Sequence, residues 1–566
     1  MVTDSENPEA KRGGEYIYDA LVDAGIELLV GLPGTQTLPL DRVVADRDEM
    51  DYIMARHETS IPHLAWGYYE ASERPAATLT VPGPGDTNTM HGLKNAYNDC
   101  VPLVHISADA DPEDRGKAPI HEIEPDTYDN VVKANINVEK QVELTRKVEQ
   151  AIEAALTEPY GPVRLGVPSG ILQATFEATP VTISPETVQY DNTENYAAAA
   201  RELAAAERPV VYVGGGARRS SNGQDIVMRL AKALDAPVVT SYKGKGVFPE
   251  DNPRFAGVTA KHLPQGAVKM LESADVVLAL GTDFDGVTTS NWSLPMGDTV
   301  VHVNLDVDDI NAGYQADIPI IDDVGHAGEE ILSRMRIASD RVSGWNGTVI
   351  GSDIQDEYIS HLEAEGLLDD TDISTPSGLR TVREALPRGG IVTTDIGGFR
   401  LWSKQVFSAY DQACYITAGS WAGMGVGLPA ALGAKAAHPE RPVVSLHGDG
   451  GLMMCLTELH TAVESNLSIV LVVFNNSDYG IISKSSKIDE YTDGSQFEWA
   501  SPDFTAIAEG FGCRGVDVDS QSELRTAVKE GMDADVPTVI NVDVPADEQS
   551  VVDASTYESK LYFEEL

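Results

Sequence analysis

The chain has 566 residues, 42% of them apolar, and at roughly 100–200 residues per domain it divides into about three cores. Asp and Glu number 89 against 41 Lys and Arg, a formal charge of −48 that is spread along the whole length. Such a surface repels nucleic acid and anionic membrane, and it fits a halophilic, high-salt cytoplasm in which long-range repulsion is screened. The opening MVTDSENPEAKRGG lacks the apolar core of a signal peptide, and the longest aliphatic run, residues 468–474, is too short to span a bilayer. A cytoplasmic location follows as an expectation. Cys100, Cys414, Cys455 and Cys513 are scattered without a C-x-x-C pair, which predicts neither a disulfide framework nor a zinc site.

Strands and helices alternate in three stretches, which predicts an α/β fold of three doubly wound parallel-sheet domains at 1–175, 190–340 and 370–550. Linkers are expected at 174–190, rich in Pro and Thr, and at 337–376, where the apolar pattern thins. In the first domain the pattern gives strand 51–56, helix 59–72, strand 76–82, helix 87–99 and strand 102–107, a βαβαβ unit. The middle domain opens with strand 209–213 and the turn Gly214-Gly215-Gly216, followed by helix 224–234 and strands 276–280 and 300–305. The third carries strands 391–394, 442–446 and 468–475.

Strand 442–446 runs into His447-Gly448-Asp449-Gly450-Gly451, and an apolar stripe of helical period (Leu452, Leu456, Leu459, Ala462, Val463) predicts one helix directly after it. Glycines there let a backbone approach a phosphate, and a new helix N-terminus offers it free N–H groups. A carboxylate at that turn would repel the phosphate unless a cation lay between, so Asp449 points to a bridging Mg²⁺. The next strand ends at Asn475-Asn476, after the length of one helix and one strand. Parallel neighbours place both strand ends on one edge, where the Asn476 amide oxygen joins Asp449 on the ion and a backbone carbonyl near Asp478 supplies a third ligand. Taken singly, Gly-Asp-Gly reads as a tight turn and Asn-Asn as an Asx turn; together, on consecutive strands, they read as a metal–diphosphate site.

Three further segments carry a family likeness. Residues 416–433 (ITAGSWAGMGVGLPAALG), 81–88 (VPGPGDTN) continuing to 98–103 (NDCVPL), and Arg56-His57-Glu58 resemble thiamine diphosphate-dependent enzymes of the acetolactate synthase large-subunit type, over nearly the whole chain. The resemblance implies an N-terminal pyrimidine-binding domain, a central domain and a C-terminal diphosphate- and Mg²⁺-binding domain. It implies that Gly397, Gly398, Gly448, Asp449, Gly450, Gly451, Asn476, Tyr479 and Gly480 contact the cofactor, and that Met424 sits beneath it and enforces its bent shape. Glu58 is then the catalytic carboxylate: bound to the aminopyrimidine ring, it favours the imino tautomer whose nitrogen removes the thiazolium C2 proton. By the same likeness Glu58 reaches a cofactor held by the third domain of another subunit, so a homodimer is the minimal unit, with a homotetramer and a small regulatory subunit as further possibilities.

The implied reaction is decarboxylation of a small 2-oxo acid followed by carboligation, with branched-chain amino acid biosynthesis as the pathway suggested. Simple decarboxylation with release of an aldehyde is the alternative, and a silent cofactor-binding paralogue is a third reading that Glu58 speaks against. Departures cluster where substrate is read: Asn476 is followed by Ser-Asp-Tyr-Gly-Ile481 where the family has Gln-His-Leu-Gly-Met, Ser485 replaces its specificity tryptophan, Ile120-His121 its Phe-Gln pair, and Gly398-Phe399 its Gln-His. His121 is a candidate to orient an acceptor carboxylate or shuttle a proton, with a structural histidine as the equal alternative. Lys133 is read as a surface lysine able to pair with an acid substrate. The central domain resembles a flavin-binding domain, but Phe284-Asp-Gly-Val287 lacks the family's arginine, which leaves FAD open.

Overall fold

The computed structural model describes residues 9–178, 182–185, 190–335, 345–369, 373–485 and 488–563. The strands of the first third are β1 (Glu9–Arg12), β2 (Leu28–Gly31), β3 (Asp51–Met54), β4 (Ala76–Thr80), β5 (Leu103–Ser107), β6 (Ala134–Asn137), β7 (Val163–Gly166) and β8 (Thr175–Ala178). In the middle stand β9 (Pro209–Val213), β10 (Val238–Thr240), β11 (Phe255–Val258), β12 (Val276–Leu280), β13 (Thr299–Asn304) and β14 (Ile318–Ile321). The last third has β15 (Ile391–Thr394), β16 (Tyr415–Thr417), β17 (Val443–Gly448), β18 (Val470–Asn475), β19 (Arg514–Val518) and β20 (Thr538–Asp543). They form three six-stranded parallel sheets, ordered β3-β2-β4-β5-β7-β6, β11-β10-β9-β12-β13-β14 and β16-β15-β17-β18-β20-β19, while β1 and β8 make a small antiparallel pair.

Helices cover both faces of each sheet, which is why the inner strands are continuous apolar runs rather than alternating ones. In the first sheet Leu28 and Val30 pack with Ile61 and Leu64 of the helix Ser60–Ser72 on one side, and Leu29 and Leu79 with Ile17, Leu21 and Val148 on the other. Numbered within each sheet, the first and third share the strand order 2-1-3-4-6-5, and the central sheet is 3-2-1-4-5-6. Each order reverses beside its first strand, and the crevice at the carboxyl ends of the strands there is where open α/β sheets bind ligands.

The first and third domains share one core. The helix Ser60–Ser72 crosses the helix Gly427–Ala437 so closely that a Cβ on Gly67 would lie 2.3 Å from the Ala430 oxygen, and one on Gly433 2.0 Å from the Leu64 oxygen. No helix among the described residues is long and apolar enough to cross a membrane.

Three local expectations are corrected. The 337–376 stretch, read as a linker, holds the helix Gly347–Ala364, capped by the Asn346 side chain accepting from the Thr348 and Val349 N–H groups. Its buried Ile350, Ile354, Tyr358 and Leu362 recur every fourth residue, a stripe too narrow to raise the average apolar content. The 174–190 stretch begins with β8; the remainder of both linkers lies partly outside the described residues, at 179–181, 186–189, 336–344 and 370–372. The single helix expected after Gly448 is two, Asp449–Met453 and Glu458–Glu464, because the chain between tightens into i to i−3 bonds such as Cys455 N–H to Leu452 O and Glu458 N–H to Cys455 O, each 3.0–3.1 Å.

Candidate active site

The reversal point of the third sheet lies between β15 and β17, and three strand ends meet there: Asp395 after β15, Gly448-Asp449 at the end of β17 and Asn475-Asn476 at the end of β18. Parallel pairing sets Gly448 opposite Phe474, which brings Asp449 beside Asn475. The Gly450 N–H donates to Asp449 Oδ1 at 2.9 Å, while the Ser501 hydroxyl lies 3.2 Å from Asp449 Oδ2 and 2.8 Å from Asn475 Oδ1, tying the two ends together. Burial raises the Asp449 carboxyl above its usual range, and the Gly450 N–H and Ser501 only partly oppose this. A buried carboxylate surrounded by amide and hydroxyl oxygens is a donor set for a small hard cation, and it fits Mg²⁺.

The glycines fit a ligand as well. Gly398 faces open space, with nothing within 4 Å of a Cβ placed on it, whereas the Phe399 ring is buried, covers Gly397 and stacks on Phe474 at 6.1 Å. Tyr479 lies against Gly450, where a Cβ would meet its ring at 2.6 Å, and stacks on Trp499 at 6.1 Å. Gly480 approaches Asn476 Nδ2, which a Cβ would meet at 3.0 Å. Asn476 Oδ1 accepts from the Asp478 N–H at 3.3 Å; the Asp478 carboxylate turns instead to the Ser483 hydroxyl.

Asp395, not singled out from the sequence, is the brace of the site. Its oxygens accept from the N–H groups of Gly425 at 3.0 and 3.1 Å and of Gly427 at 3.2 Å, fixing the turn that presents Met424. Burial alone would raise this carboxyl; His447, 3.3 Å away, and the Ile396 and Gly427 N–H groups hold it below its usual range. Asp395, His447 and Cys455 offer ligand atoms within 4.8 Å of one another, all buried. With the carboxylate engaged by backbone and the Cys455 thiol directed at the Gly451 and Leu452 carbonyls, the trio acts as a structural clamp. Behind Met424 the sequence reading also missed His91: its Nδ1 accepts from Trp421 Nε1 at 2.8 Å and its Nε2 donates to the Met424 carbonyl at 3.4 Å. His63 lies edge-on to it at 4.8 Å, fully buried, and burial with the neighbouring His91 drops its pKa to about 3.

In the first domain Glu58 follows β3 at the carboxyl edge, half-buried, and accepts from Asn88 Nδ2 at 3.1 Å. Thr59 stands at the cap position of the helix Ser60–Ser72, where its hydroxyl donates to the Asn88 carbonyl at 3.0 Å rather than capping the helix. Glu58 Oε1 stands 3.6 Å from the Cβ position of Gly85, and the His121 carbonyl 2.6 Å from that of Gly83, so both residues flank the turn at 82–85. His121 has a positive φ of 65° and pairs through Nδ1 with Gln36 Nε2 at 3.3 Å. The helix after that turn is anchored by buried Asp86, bonded to Arg164 at 2.8 Å and His105 at 2.6 Å; burial opposes its ionisation, but the Arg164 charge and His105 hold it down at about 2. Lys133 is no substrate ligand by position: its ammonium is tied to the Thr157 and Pro159 carbonyls at 2.5 and 2.7 Å.

Family models match three stretches of the chain, together more than half of it: the N-terminal TPP-binding domain of thiamine pyrophosphate enzymes at 11–130, their central domain at 196–332, and their C-terminal TPP-binding domain at 395–542. The chain belongs to the thiamine pyrophosphate enzymes. This thiamine pyrophosphate enzyme is 28% identical to the probable acetolactate synthase large subunit of Methanocaldococcus jannaschii over 94% of this chain and 91% of that protein. The large subunit of acetolactate synthase isozyme 3 from Escherichia coli is likewise 28% identical, over 93% of each chain. That of Lactococcus lactis is 28% identical over 94% of this chain and 92% of its own. The two TPP-binding domains of the family are thus the first and third sheets, the pair that shares a strand order and a core.

Proposed function

We propose that this thiamine pyrophosphate enzyme uses Mg²⁺ and thiamine diphosphate to decarboxylate a small 2-oxo acid and join the remaining acyl unit to a second carbonyl compound, in the manner of an acetolactate synthase. The observation that carries this reading is the convergence of Asp449 and Asn475-Asn476 at the reversal point of the third sheet, with Glu58 at the matching edge of the first. The names of the relatives, all acetolactate synthase subunits, support the same choice.

When bound, the cofactor supplies a thiazolium carbon that adds to a carbonyl and accepts the electron pair released as CO₂ leaves. The chain supplies the rest. Asp449 and Asn476 would hold Mg²⁺ against the diphosphate, with a carbonyl near Asp478 as the third protein ligand, and Gly448, Gly450, Gly451, Gly397 and Gly398 would bring the backbone close, with open space at Gly398. Tyr479 and Gly480 close that edge. Met424, fixed by Asp395 and His91, supports the cofactor's middle. Glu58 holds a proton on the aminopyrimidine, oriented by Asn88, and in this reading it comes from one subunit of a homodimer while Asp449 comes from the other. His121, across the 82–85 turn from Glu58, orients the acceptor.

Purified protein incubated with pyruvate, Mg²⁺ and thiamine diphosphate, with products identified by mass spectrometry, tests the proposal. Acetolactate supports it; acetaldehyde in amounts equal to the CO₂ released, without a coupled product, replaces it with simple decarboxylation.

A further inference from the structure

The central domain has the strand order and crevice of a dinucleotide-binding sheet, and the glycine triplet follows its first strand. The crevice beyond β9, β12 and β13 holds a cavity of about 160 Å³ that opens to solvent. Its chemistry contradicts its shape in three independent ways.

Two of the triplet's three backbone donors are already taken. The Gly214 N–H donates to the Leu280 carbonyl and the Gly216 N–H to the Gly281 carbonyl, both at 2.8 Å. A Cβ on Gly214 would fall 2.2 Å from the Gly281 oxygen and one on Gly216 2.8 Å from its Cα, so these glycines serve the crossing of two turns. The cations on the crevice wall are taken too. Lys243 is paired with Glu70 at 3.2 Å and Asp99 at 2.9 Å, and Arg219 with Glu70 at 3.0 Å. The remaining charge on the wall is negative: Asp283 after β12, and Asp306 and Asp309 after β13, each line the space. Asp283 is exposed at the mouth, yet the crevice walls and then the charge of Asp285 push its carboxyl up to about 7; burial and then Asp306 raise Asp309 to about 6. Neighbouring carboxylates thus already oppose one another before any phosphate arrives.

We propose that this crevice is closed to flavin dinucleotide and to phosphate-bearing nucleotides in general. The inference concerns binding alone and stands whether or not the proposed carboligation is correct. The test uses the full-length protein at pH 8: titration of FAD by fluorescence and of ADP by calorimetry, on the wild type, on Asp283→Arg, and on the milder triple variant Asp283→Asn/Asp306→Asn/Asp309→Asn. The expected result is no saturable binding to the wild type at up to about millimolar ligand, and an affinity gain of at least about tenfold in the variants, the size of effect that removing like charges from a poorly solvated wall produces. Saturable micromolar binding of FAD or ADP to the wild type overturns the inference. So does a failure of both variants, folded by their melting curves, to gain affinity, because the carboxylates would then not be the barrier.

Discussion

Two carboxyl edges in this molecule look alike as sequence, a strand running into glycines with aspartates close by, and they have opposite chemistry. At the third sheet the buried carboxylate of Asp449 meets the neutral oxygens of Asn475 and Ser501, while that of Asp395 is engaged by the Gly425 and Gly427 N–H groups. At the central sheet Asp283, Asp306 and Asp309 line one crevice, and the nearby cations Lys243 and Arg219 are turned onto Glu70 and Asp99. The glycines differ in the same way: Gly450 is crowded only by the movable ring of Tyr479, Gly398 by nothing, but Gly214 and Gly216 by backbone. The lesson is that a glycine turn suits a phosphate only when no backbone crowds its glycines and the charge around it can be balanced by a cation.

Replacing Glu58 by Gln should give the largest effect, a loss of about 10²–10⁴ in turnover with the fold and cofactor binding retained, since a neutral amide cannot drive the proton shift; steady-state kinetics beside a cofactor titration would show it. Unchanged turnover would remove Glu58 from the mechanism. Substituting Asp449 by Ala should weaken Mg²⁺ and thiamine diphosphate binding together by at least about tenfold in calorimetry, the scale on which metal sites respond to lost contacts. Asp283→Ala, at the contrasting edge, should leave both affinities where they were.

The glycine contrast can be broken by methyl groups. Gly216→Ala should lower stability by about 1–3 kcal/mol, because its Cβ meets backbone that cannot yield, while Gly450→Ala should change stability by less than about 1 kcal/mol and weaken cofactor binding instead; chemical denaturation and cofactor titration separate the outcomes. Equal destabilisation by both would erase the distinction between the edges. The smallest effect concerns pH. Asp283 has a folded pKa raised from 3.8 to about 7, so its ionisation opposes folding above about 7, and this opposition fades as pH falls through the folded pKa toward 3.8. Its exposure at the crevice mouth tempers the cost through solvent screening. Asp283→Asn should therefore raise the melting temperature by about 2–4 °C at pH 8 and leave it unchanged at pH 4.

Much of the third domain was readable in advance because its information is local. Asp449 and Asn476 lie at the ends of consecutive parallel strands, so strand periodicity together with one crossover sufficed to bring them to one edge. Glu58 is singled out only through likeness to a family, and its catalytic role is proposed on that likeness, since a glutamate before a helix carries no local mark of catalysis. Asp395, His91 and Ser501 escaped because their partners, Gly425, Met424 and Asn475, are 30, 333 and 26 residues away, and no periodicity links such pairs. The helix Gly347–Ala364 escaped for a different reason: one buried residue per turn is a weaker signal than the acidic residues around it.

By itself, then, the sequence determined the three parallel sheets, the family, and the meeting of Asp449 with Asn475-Asn476 at one sheet edge, because each rests on short-range alternation and on motifs whose spacing equals one structural unit. Only the tertiary structure decided what the central glycine triplet does. Whether a backbone N–H is free for a ligand depends on which distant turn packs against it, and here the turn after β12 covers the one after β9.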